Sequence, residues 1–83
     1  MERTILITGA SSGIGKETAK YFHKKGWNVI ATMRNPEKET ELTALNNVLV
    51  TRLDVQDSAS IAEAVTAGIK TFGSIDVLLN NAG

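Results

Sequence analysis

The sequence predicts an α/β fold, a Rossmann-like parallel sheet that forms half of a doubly wound domain. Apolar runs typical of strands alternate with segments typical of helices in the order β-α-β-α-β-α-β. The first apolar run has no polar alternation, which indicates a strand covered on both faces. Right-handed crossovers then predict four parallel strands connected by three crossover helices. The first half of a doubly wound, Rossmann-like fold has these strands in the spatial order 3-2-1-4, so this order is predicted.

Four short runs rich in β-branched and aliphatic residues are the predicted strands. They span residues 4–8, 27–33, 48–53 and 75–79. Each is bounded by residues that favour turns or helix termini. The last strand is expected to leave an open sheet edge rich in Val and Leu, which favours self-association.

Three segments between the strands are predicted to be helical. The first spans 13–25 and ends before Gly26, a residue suited to a left-handed helix terminus. Its expected buried residues are Ile14, Ala19 and Phe22. The second is a short, mostly polar helix over 37–45, preceded by Pro36.

The third predicted helix begins at Asp57 or Ser58 and ends at Gly73. Ser60 and Glu63 have the spacing of a capping box. One apolar stripe is expected to face the sheet. Its members are Ile61, Val65, Ile69 and Phe72.

Composition excludes several classes of function. The 83 residues suffice for one small domain, and nine basic residues balance nine acidic ones, unlike the basic excess of a nucleic-acid binder. The absence of cysteine excludes disulfides, and one histidine cannot build a zinc site. The apolar runs are too short to span a bilayer, and no leader pattern precedes the first strand. We therefore expect a cytoplasmic protein without a metal, nucleic-acid or membrane partner.

A glycine-rich turn between the first strand and the first helix predicts a phosphate site. Gly9, Gly13 and Gly15 suit a sharp turn, a close backbone approach to a pyrophosphate and tight packing of helix on strand. Backbone N–H groups at the start of a helix bind anions. The groups offered here belong to Ser11, Ser12 and Ile14. A glycine turn without a ligand is the alternative.

The same turn does not fit a nucleoside-triphosphate loop. That motif needs glycine where Ala10 stands and a hydroxyl residue directly after the lysine. Glu17 follows Lys16 instead, and its carboxylate would repel the phosphates. Lys16 itself is open to two interpretations, because it could neutralise a phosphate or be a solvated helix residue.

The end of the second strand favours NADP over NAD. In dinucleotide folds an acid about 20 residues beyond the glycines binds the ribose of NAD, whereas an arginine accommodates the 2′-phosphate of NADP. Residues 31–35 contain no acid but include Arg34, whose planar guanidinium suits a phosphate. The alternative is a solvated arginine at a strand end.

Three motifs in the expected order make the whole chain resemble the short-chain dehydrogenases/reductases. The family's TGxxxGxG motif matches Thr8 to Gly15. An Asp-Val pair after the third strand matches Asp54 and Val55, and Asn-Asn-Ala-Gly after the fourth matches Asn80 to Gly83. Three motifs on the matching elements are far more specific than any one alone.

The resemblance implies roles for residues near the cofactor. Asp54 resembles the carboxylate near the adenine amino group, and Val55 the adjoining apolar wall. Asn81 resembles the residue beside the cofactor ribose. Ala82 and Gly83 resemble the thin surface along which the nicotinamide half passes.

Two further residues resemble structural positions of the family. Asn80 is similar to an asparagine that ties neighbouring strands together. Asp76 is similar to an aspartate that opens the fourth strand. Neither is expected to contact the cofactor.

Together with Arg34, the resemblance implies NADP-dependent oxidation or reduction of a carbonyl/alcohol pair. The family's catalytic Ser, Tyr and Lys lie beyond Asn-Asn-Ala-Gly, so residues 1–83 are expected to be an N-terminal dinucleotide-binding half-domain without a catalytic residue. Tyr21 and Lys25 have Tyr-x-x-x-Lys spacing, but on the first helix, away from any nicotinamide. The small-molecule substrate is expected to bind only in a longer parent. A non-catalytic, NADP-binding redox sensor is the alternative, and a scaffold with a vestigial glycine turn is a further one.

Overall fold

A computed structural model describes residues 2–81 as one parallel sheet with helices on both faces. Its strands and α-helices are, in chain order, β1 Thr4–Ile7, α1 Gly13–Lys24, β2 Asn28–Met33, β3 Val48–Arg52, α2 Ser58–Phe72 and β4 Val77–Leu79. The strands lie in the order β3-β2-β1-β4, and every pair is parallel. The predicted fold class and strand order are therefore confirmed.

The two faces of β1 belong to two separate apolar clusters. Ile5 and Ile7 pack with Ala19 of α1, whereas Leu6 packs with Ala64 of α2. Successive side chains of a strand point to opposite faces, so α1 and α2 cover opposite sides of the sheet. All four residues of β1 are buried, as the uninterrupted apolar run predicts.

The predicted helix over 37–45 is wrong. Two short 3₁₀ turns, Pro36–Lys38 and Leu42–Ala44, make this connection instead. Glu39 between them has an extended backbone, and its Oε2 accepts a hydrogen bond from the Leu42 N–H at 2.8 Å. A short polar helix gains little from packing, so this local side-chain bond is enough to divert the backbone.

The buried face of α1 differs from the prediction at one residue. Ala19 is fully buried and Phe22 packs on the core, but Ile14 is 76% exposed. Gly15, four residues before Ala19, is buried in its place. Adjacent helix residues lie about 100° apart, so a face that includes Gly15 excludes Ile14. Gly26 has the expected positive φ just after the helix.

The predicted apolar stripe of α2 is also partly wrong. Small residues face the sheet, namely Ser60, Ala64 and Gly68. Val65 and Phe72 pack beside them, whereas Ile61 and Ile69 are exposed. A Cβ at Gly68 would overlap the Ile30 side chain, so the close approach of α2 requires small residues. Helical spacing alone does not distinguish this narrow face from the apolar one beside it.

The start and end of α2 are as predicted, but the capping box is not. Asp57 is the N-cap and accepts hydrogen bonds from the Ala59 and Ser60 N–H groups. Gly73 ends the helix in a left-handed conformation. Ser60 lies inside the first turn, where its hydroxyl bonds to backbone upstream rather than pairing with Glu63.

Side-chain hydrogen bonds fasten β4 to β1 at both ends. The Thr4 N–H donates to Asp76 Oδ2 at 2.8 Å, and the Asp76 N–H donates to the Thr4 carbonyl. At the other end, Thr8 Oγ1 donates to Asn80 Oδ1 at 3.0 Å. The structural roles predicted for Asp76 and Asn80 are confirmed.

The free side of β4 forms an edge of the sheet. Within residues 2–81 this strand pairs with β1 alone, and Leu78 is 64% exposed. Val77 is exposed as well, so apolar side chains accompany unpaired backbone groups.

Within residues 2–81, no helix has the length and apolarity needed to cross a membrane.

Candidate functional site

A cavity of about 380 Å³ lies at the carboxyl ends of β1, β2 and β3. In open α/β sheets, ligands bind at this edge. The residues that line it are Gly9, Ser11, Ser12, Met33, Arg34, Leu53, Asp54, Val55, Gln56 and Asn81. The parallel sheet therefore brings together residues from all three sequence motifs and Arg34. Gly13, Ile14 and Gly15 form the adjoining first turn of α1, while Ala82 and Gly83 lie outside the described residues.

The glycine turn is shaped by conformations and contacts that other residues do not tolerate. Gly9 and Gly13 have φ values of 67° and 59°. A Cβ on Gly15 would overlap the Gly9 carbonyl and come within 2.6 Å of Asn81 Nδ2. The Ala10 N–H donates to the Thr32 carbonyl of β2 at 3.0 Å, which ties the turn to the sheet. The turn therefore has a defined shape before any ligand binds.

The N-terminus of α1 offers backbone donors next to the cavity. The first N–H groups of a helix have no partner within it, and together they carry partial positive charge. The N-cap residue Ser12 makes no side-chain cap bond, and the first turn holds no acidic residue. Since Ser11 and Ser12 line the cavity, this positive helix end adjoins it. The arrangement suits an anion, as the glycine motif predicts.

The cationic side chain that lines the cavity is Arg34. It is exposed, and within residues 2–81 it makes no hydrogen bond or ion pair. Arg52, at the end of the neighbouring strand, instead donates to Asp57 Oδ2 at 3.3 Å. Arg34 is therefore available to an anion in the same cavity as the glycine turn.

Lys16 is paired with two glutamates, so it is not the solvated helix residue of one of the two interpretations that the sequence left open. Its Nζ lies 2.8 Å from Glu41 Oε1 and 3.3 Å from Glu39 Oε2. The hydrogen bond to Glu41 raises the pKa of the Lys16 ammonium above its ordinary value. The lysine thus binds the connection between β2 and β3, and it does not line the cavity.

The loop after β3 contributes a wall of the same cavity. Asp54 Oδ1 accepts a hydrogen bond from the Gln56 N–H at 3.0 Å, and Oδ2 has no partner within residues 2–81. Val55 is half exposed on the same wall. The wall therefore presents a carboxylate oxygen beside an apolar side chain, a pairing suited to the amino group and face of a base.

Asn81 connects the end of β4 to the glycine turn. Its Nδ2 donates to the Gly9 carbonyl at 3.1 Å, in space that a side chain on Gly15 would fill. Asn81 also lines the cavity. Its amide therefore stabilises the turn from the side of the fourth strand.

Sequence reasoning missed four residues of this region. Met33, Leu53 and Gln56 line the cavity, and each directly precedes or closely follows a residue that was predicted. Strand ends in a parallel sheet meet at one edge, so their neighbours could have been included. Ser60 was assigned to a capping box, yet its hydroxyl holds the backbone of Asp54. No signal in one sequence distinguishes those two roles.

The Tyr-x-x-x-Lys spacing on α1 does not belong to the site. Tyr21 is exposed outside the cavity, and Lys25 Nζ lies 5.5 Å from the centre of its ring. Both residues lie toward the carboxyl end of α1, whereas the cavity adjoins its amino end. The prediction that this pair lies away from the cofactor region agrees with their position.

The fold and the cavity define a Rossmann-like α/β protein with a candidate dinucleotide site. The short chain dehydrogenase family matches residues 3–83, and the chain belongs to this family. It is 46% identical over 83 residues to a short-chain dehydrogenase of Penicillium ochrochloron, covering 98% of this chain and 31% of that protein. It is 42% identical over 85 residues to a serine 3-dehydrogenase of Agrobacterium fabrum, covering 100% of this chain and 34% of that protein.

Solved structures agree with this assignment. The crystal structure of an actinorhodin polyketide ketoreductase with NADPH superposes with a TM-score of 0.89 at 36% identity, covering 99% of this chain and 33% of that one. A menthone neomenthol reductase from Mentha piperita superposes with a TM-score of 0.86 at 36% identity, covering 100% of this chain and 32% of that one. The chain spans about a third of the length of the curated relatives it matches.

Proposed function

We propose that residues 1–83 are the N-terminal dinucleotide-binding half-domain of an NADP-dependent oxidoreductase that acts on a carbonyl/alcohol pair. The observation that carries this proposal is one cavity lined by the glycine turn, Arg34 and Asp54. These groups lie on different strand ends, and each suits a different part of the same cofactor. The polyketide ketoreductase named above, a structural neighbour, was solved with NADPH.

The residues present fit an NADP molecule. The diphosphate would be held by N–H groups of the glycine turn and the first turn of α1, at the positive helix end. Arg34 would bind the 2′-phosphate, because its guanidinium has no other partner within residues 2–81. Asp54 and Val55 would contact the adenine, and Asn81 would lie beside a ribose. The family resemblance would assign Ala82 and Gly83 to the nicotinamide half of the cofactor.

The bound cofactor supplies the hydride, and the protein orients it. No tyrosine, lysine or histidine lines the cavity described within residues 2–81. We therefore propose that this segment binds and orients NADP, while the groups that polarise the carbonyl belong to a longer parent. Expected turnover by residues 1–83 alone is zero.

Direct titration tests the proposed cofactor. We expect the full chain to bind NADPH about tenfold more tightly than NADH, because only NADPH offers a phosphate to Arg34. Arg34→Asp should abolish this preference and leave NADH affinity within about threefold. Arg3→Asp is the matched control, since it makes the same charge change just before β1, at the amino-terminal edge of the sheet, whereas Arg34 follows β2 at the carboxyl-terminal edge.

The outcomes of this titration are distinguishable. Isothermal titration measures the dissociation constants of NADPH and NADH for the unmodified chain and for each variant. The ratio of the two constants is then compared between the proteins. An unchanged ratio in Arg34→Asp contradicts the role of Arg34. No saturable binding of either dinucleotide to the unmodified chain contradicts the proposed function itself.

We also propose that the free edge of β4 makes the isolated chain self-associate. Its exposed Leu78 accompanies unpaired backbone groups, a combination that promotes edge-to-edge pairing. Sedimentation velocity should show a concentration-dependent increase in mass. Leu78→Lys should reduce it, because a charge on an edge strand disfavours pairing. A monomer at all concentrations would refute this proposal.

A further inference from the structure

We infer that Ser60, a residue outside the cavity, positions Asp54 so that the site distinguishes adenine from other purines. This inference rests on the proposed function, and it adds a specificity-determining residue to it. Ser60 is 1% exposed, on the face of α2 that packs against the sheet. It is a positioning residue because its hydroxyl contacts the backbone of Asp54 and does not line the cavity.

The hydroxyl of Ser60 bonds to the loop that forms the cavity wall. Ser60 Oγ accepts a hydrogen bond from the Asp54 N–H at 2.9 Å. It also lies 2.7 Å from the Asp57 carbonyl and 3.1 Å from the Asp54 carbonyl. A hydroxyl carries one proton, so it donates to one of these carbonyls while it accepts from Asp54.

These bonds fix where the backbone of Asp54 lies relative to α2. The Asp57 N–H also donates to the Asp54 carbonyl at 2.9 Å, so both backbone polar groups of Asp54 are bonded to the start of α2. A rigid helix packed on the sheet therefore defines the path of the loop. The side chain of Asp54 leaves from a fixed point beside the cavity.

The carboxylate itself is fixed by a second bond. Asp54 Oδ1 accepts from the Gln56 N–H, which leaves Oδ2 as the oxygen available to a ligand. A carboxylate oxygen accepts hydrogen bonds and donates none. It therefore favours the exocyclic amino group of adenine over the carbonyl of hypoxanthine at the same position. This discrimination requires Oδ2 to be held in place, which is the contribution of Ser60.

A purely structural role for Ser60 makes a different prediction. Removing the hydroxyl leaves a part-buried Asp54 N–H without its partner and lowers stability in either case. If Ser60 only stabilises the fold, affinities for all dinucleotides fall by the same factor. If Ser60 positions Asp54, the ratio between an adenine and a hypoxanthine dinucleotide changes.

The test measures that ratio in the full chain with NADPH and nicotinamide hypoxanthine dinucleotide phosphate in its reduced form. We expect the unmodified chain to prefer NADPH by about tenfold, and Ser60→Ala to reduce the preference to about threefold or less. Asp54→Ala should remove it. Ser58→Ala is the matched control, because Ser58 is exposed in the same helical turn and should keep the full ratio.

The design separates failure of this inference from failure of the proposed function. Absence of NADPH binding in the unmodified chain contradicts the proposed function. Binding without discrimination, or a Ser60→Ala ratio equal to that of the unmodified chain, overturns the inference and leaves the proposed function standing. Ser60→Cys, with a weaker hydrogen-bonding group, should give an intermediate ratio and serves if Ser60→Ala does not fold. A Ser60→Cys ratio equal to that of the unmodified chain also overturns the inference.

Discussion

The two α-helices begin in opposite ways, although both start near the carboxyl ends of the strands. At α2 the Asp57 carboxylate accepts hydrogen bonds from two N–H groups of the first turn. At α1 the N-cap Ser12 makes no such bond, and the first turn that follows it contains two glycines, Gly13 and Gly15. The first helix end therefore keeps its donors and its partial positive charge available, whereas the second is neutralised within the chain.

This difference separates a stabilising helix end from a binding one. A capped helix gains stability from the cap itself, typically about 1 kcal/mol. An uncapped helix end beside a cavity gives up that stabilisation and offers its amides to a ligand. This difference assigns a stabilising role to the start of α2 and supports the ligand-binding role proposed for the start of α1.

The largest expected effect comes from Gly15→Ala, which disturbs the proposed binding end of α1 and leaves the capped end of α2 unchanged. The new Cβ would overlap the Gly9 carbonyl and crowd the Asn81 amide, so the glycine turn has to move. We expect NADPH affinity to fall by more than about tenfold, measured by titration together with a thermal melt.

Gly68→Ala in α2 is the matched control for this change. There the Cβ would meet the flexible end of the Ile30 side chain rather than backbone. The gain in helix propensity, about 1 kcal/mol, offsets part of the repacking cost, and affinity should stay within about threefold. Equal losses of affinity in the two variants would contradict the assigned role of α1.

An intermediate effect is expected when the two N-caps are compared directly. Asp57→Ala removes a bonded cap, so the free energy of unfolding should fall by about 1 kcal/mol and Tm by roughly 4–8 °C. Ser12→Ala removes no cap bond and should shift Tm by less than about 2 °C. Its effect should be a reduced NADPH affinity instead. Thermal melts without ligand and titrations with it measure both effects.

The reverse pattern would refute this comparison. A large fall in Tm for Ser12→Ala, with unchanged affinity, would mean that Ser12 stabilises α1 rather than serving a ligand. Arg52→Gln controls for the ion pair that Asp57→Ala also removes.

The smallest effect is expected for Lys16→Met, which tests whether the lysine beside the glycine turn serves the ligand. Its ammonium is bonded to Glu39 and Glu41, so NADPH affinity should stay within about threefold. Tm at pH 7 should fall by no more than about 4 °C, because Glu41 is exposed and the buried Glu39 carboxylate keeps its hydrogen bond from the Leu42 N–H. A tenfold loss of affinity would instead assign Lys16 to the phosphate site.

The pH dependence of that small Tm difference follows from the pKa shifts. The hydrogen bond from Lys16 lowers the pKa of Glu41 below its ordinary 4.5, so this contribution is lost as pH falls through the lowered value. The pKa of Lys16 is raised above 10.5, so its contribution is lost as pH rises through the raised value. The Tm difference between the unmodified chain and Lys16→Met should therefore be constant between the ordinary pKa values of the two groups, 4.5 and 10.5, and shrink as pH moves beyond either value.

The sequence was sufficient for the sheet and for the main motifs of the site. Buried parallel strands are uniformly apolar, so β1 and β2 stand out from any amphipathic segment. Glycines at required turns and residues at strand ends also have fixed places, which is why the turn and Arg34 were predicted to bind one dinucleotide, while Asp54 was added by the family resemblance. Their binding roles remain predictions.

The buried faces of the helices and the conformation of the connection after Arg34 could not be predicted correctly, because the sequence was compatible with more than one arrangement of each. The exposure of Ile14 and Ile69 depends on which face of each helix comes closest to the sheet, and small residues rather than large ones determined that. The connection after Arg34 was predicted as a helix because its residues tolerate one. In the structure, Glu39 instead accepts a hydrogen bond from the Leu42 N–H and forms an ion pair with Lys16 of α1, and the connection forms two 3₁₀ turns.

What the sequence by itself determined is the succession of strands along the chain and the chemistry available at their ends, because both follow from local hydrophobicity and residue type. What only the tertiary structure decided is which charges are engaged and which are available. In the sequence, Lys16 and Arg34 are both basic residues near a predicted phosphate site. In the structure, Lys16 is paired with two glutamates, whereas Arg34 lines the cavity. That distinction depends on distances between segments far apart along the chain, which no local pattern encodes.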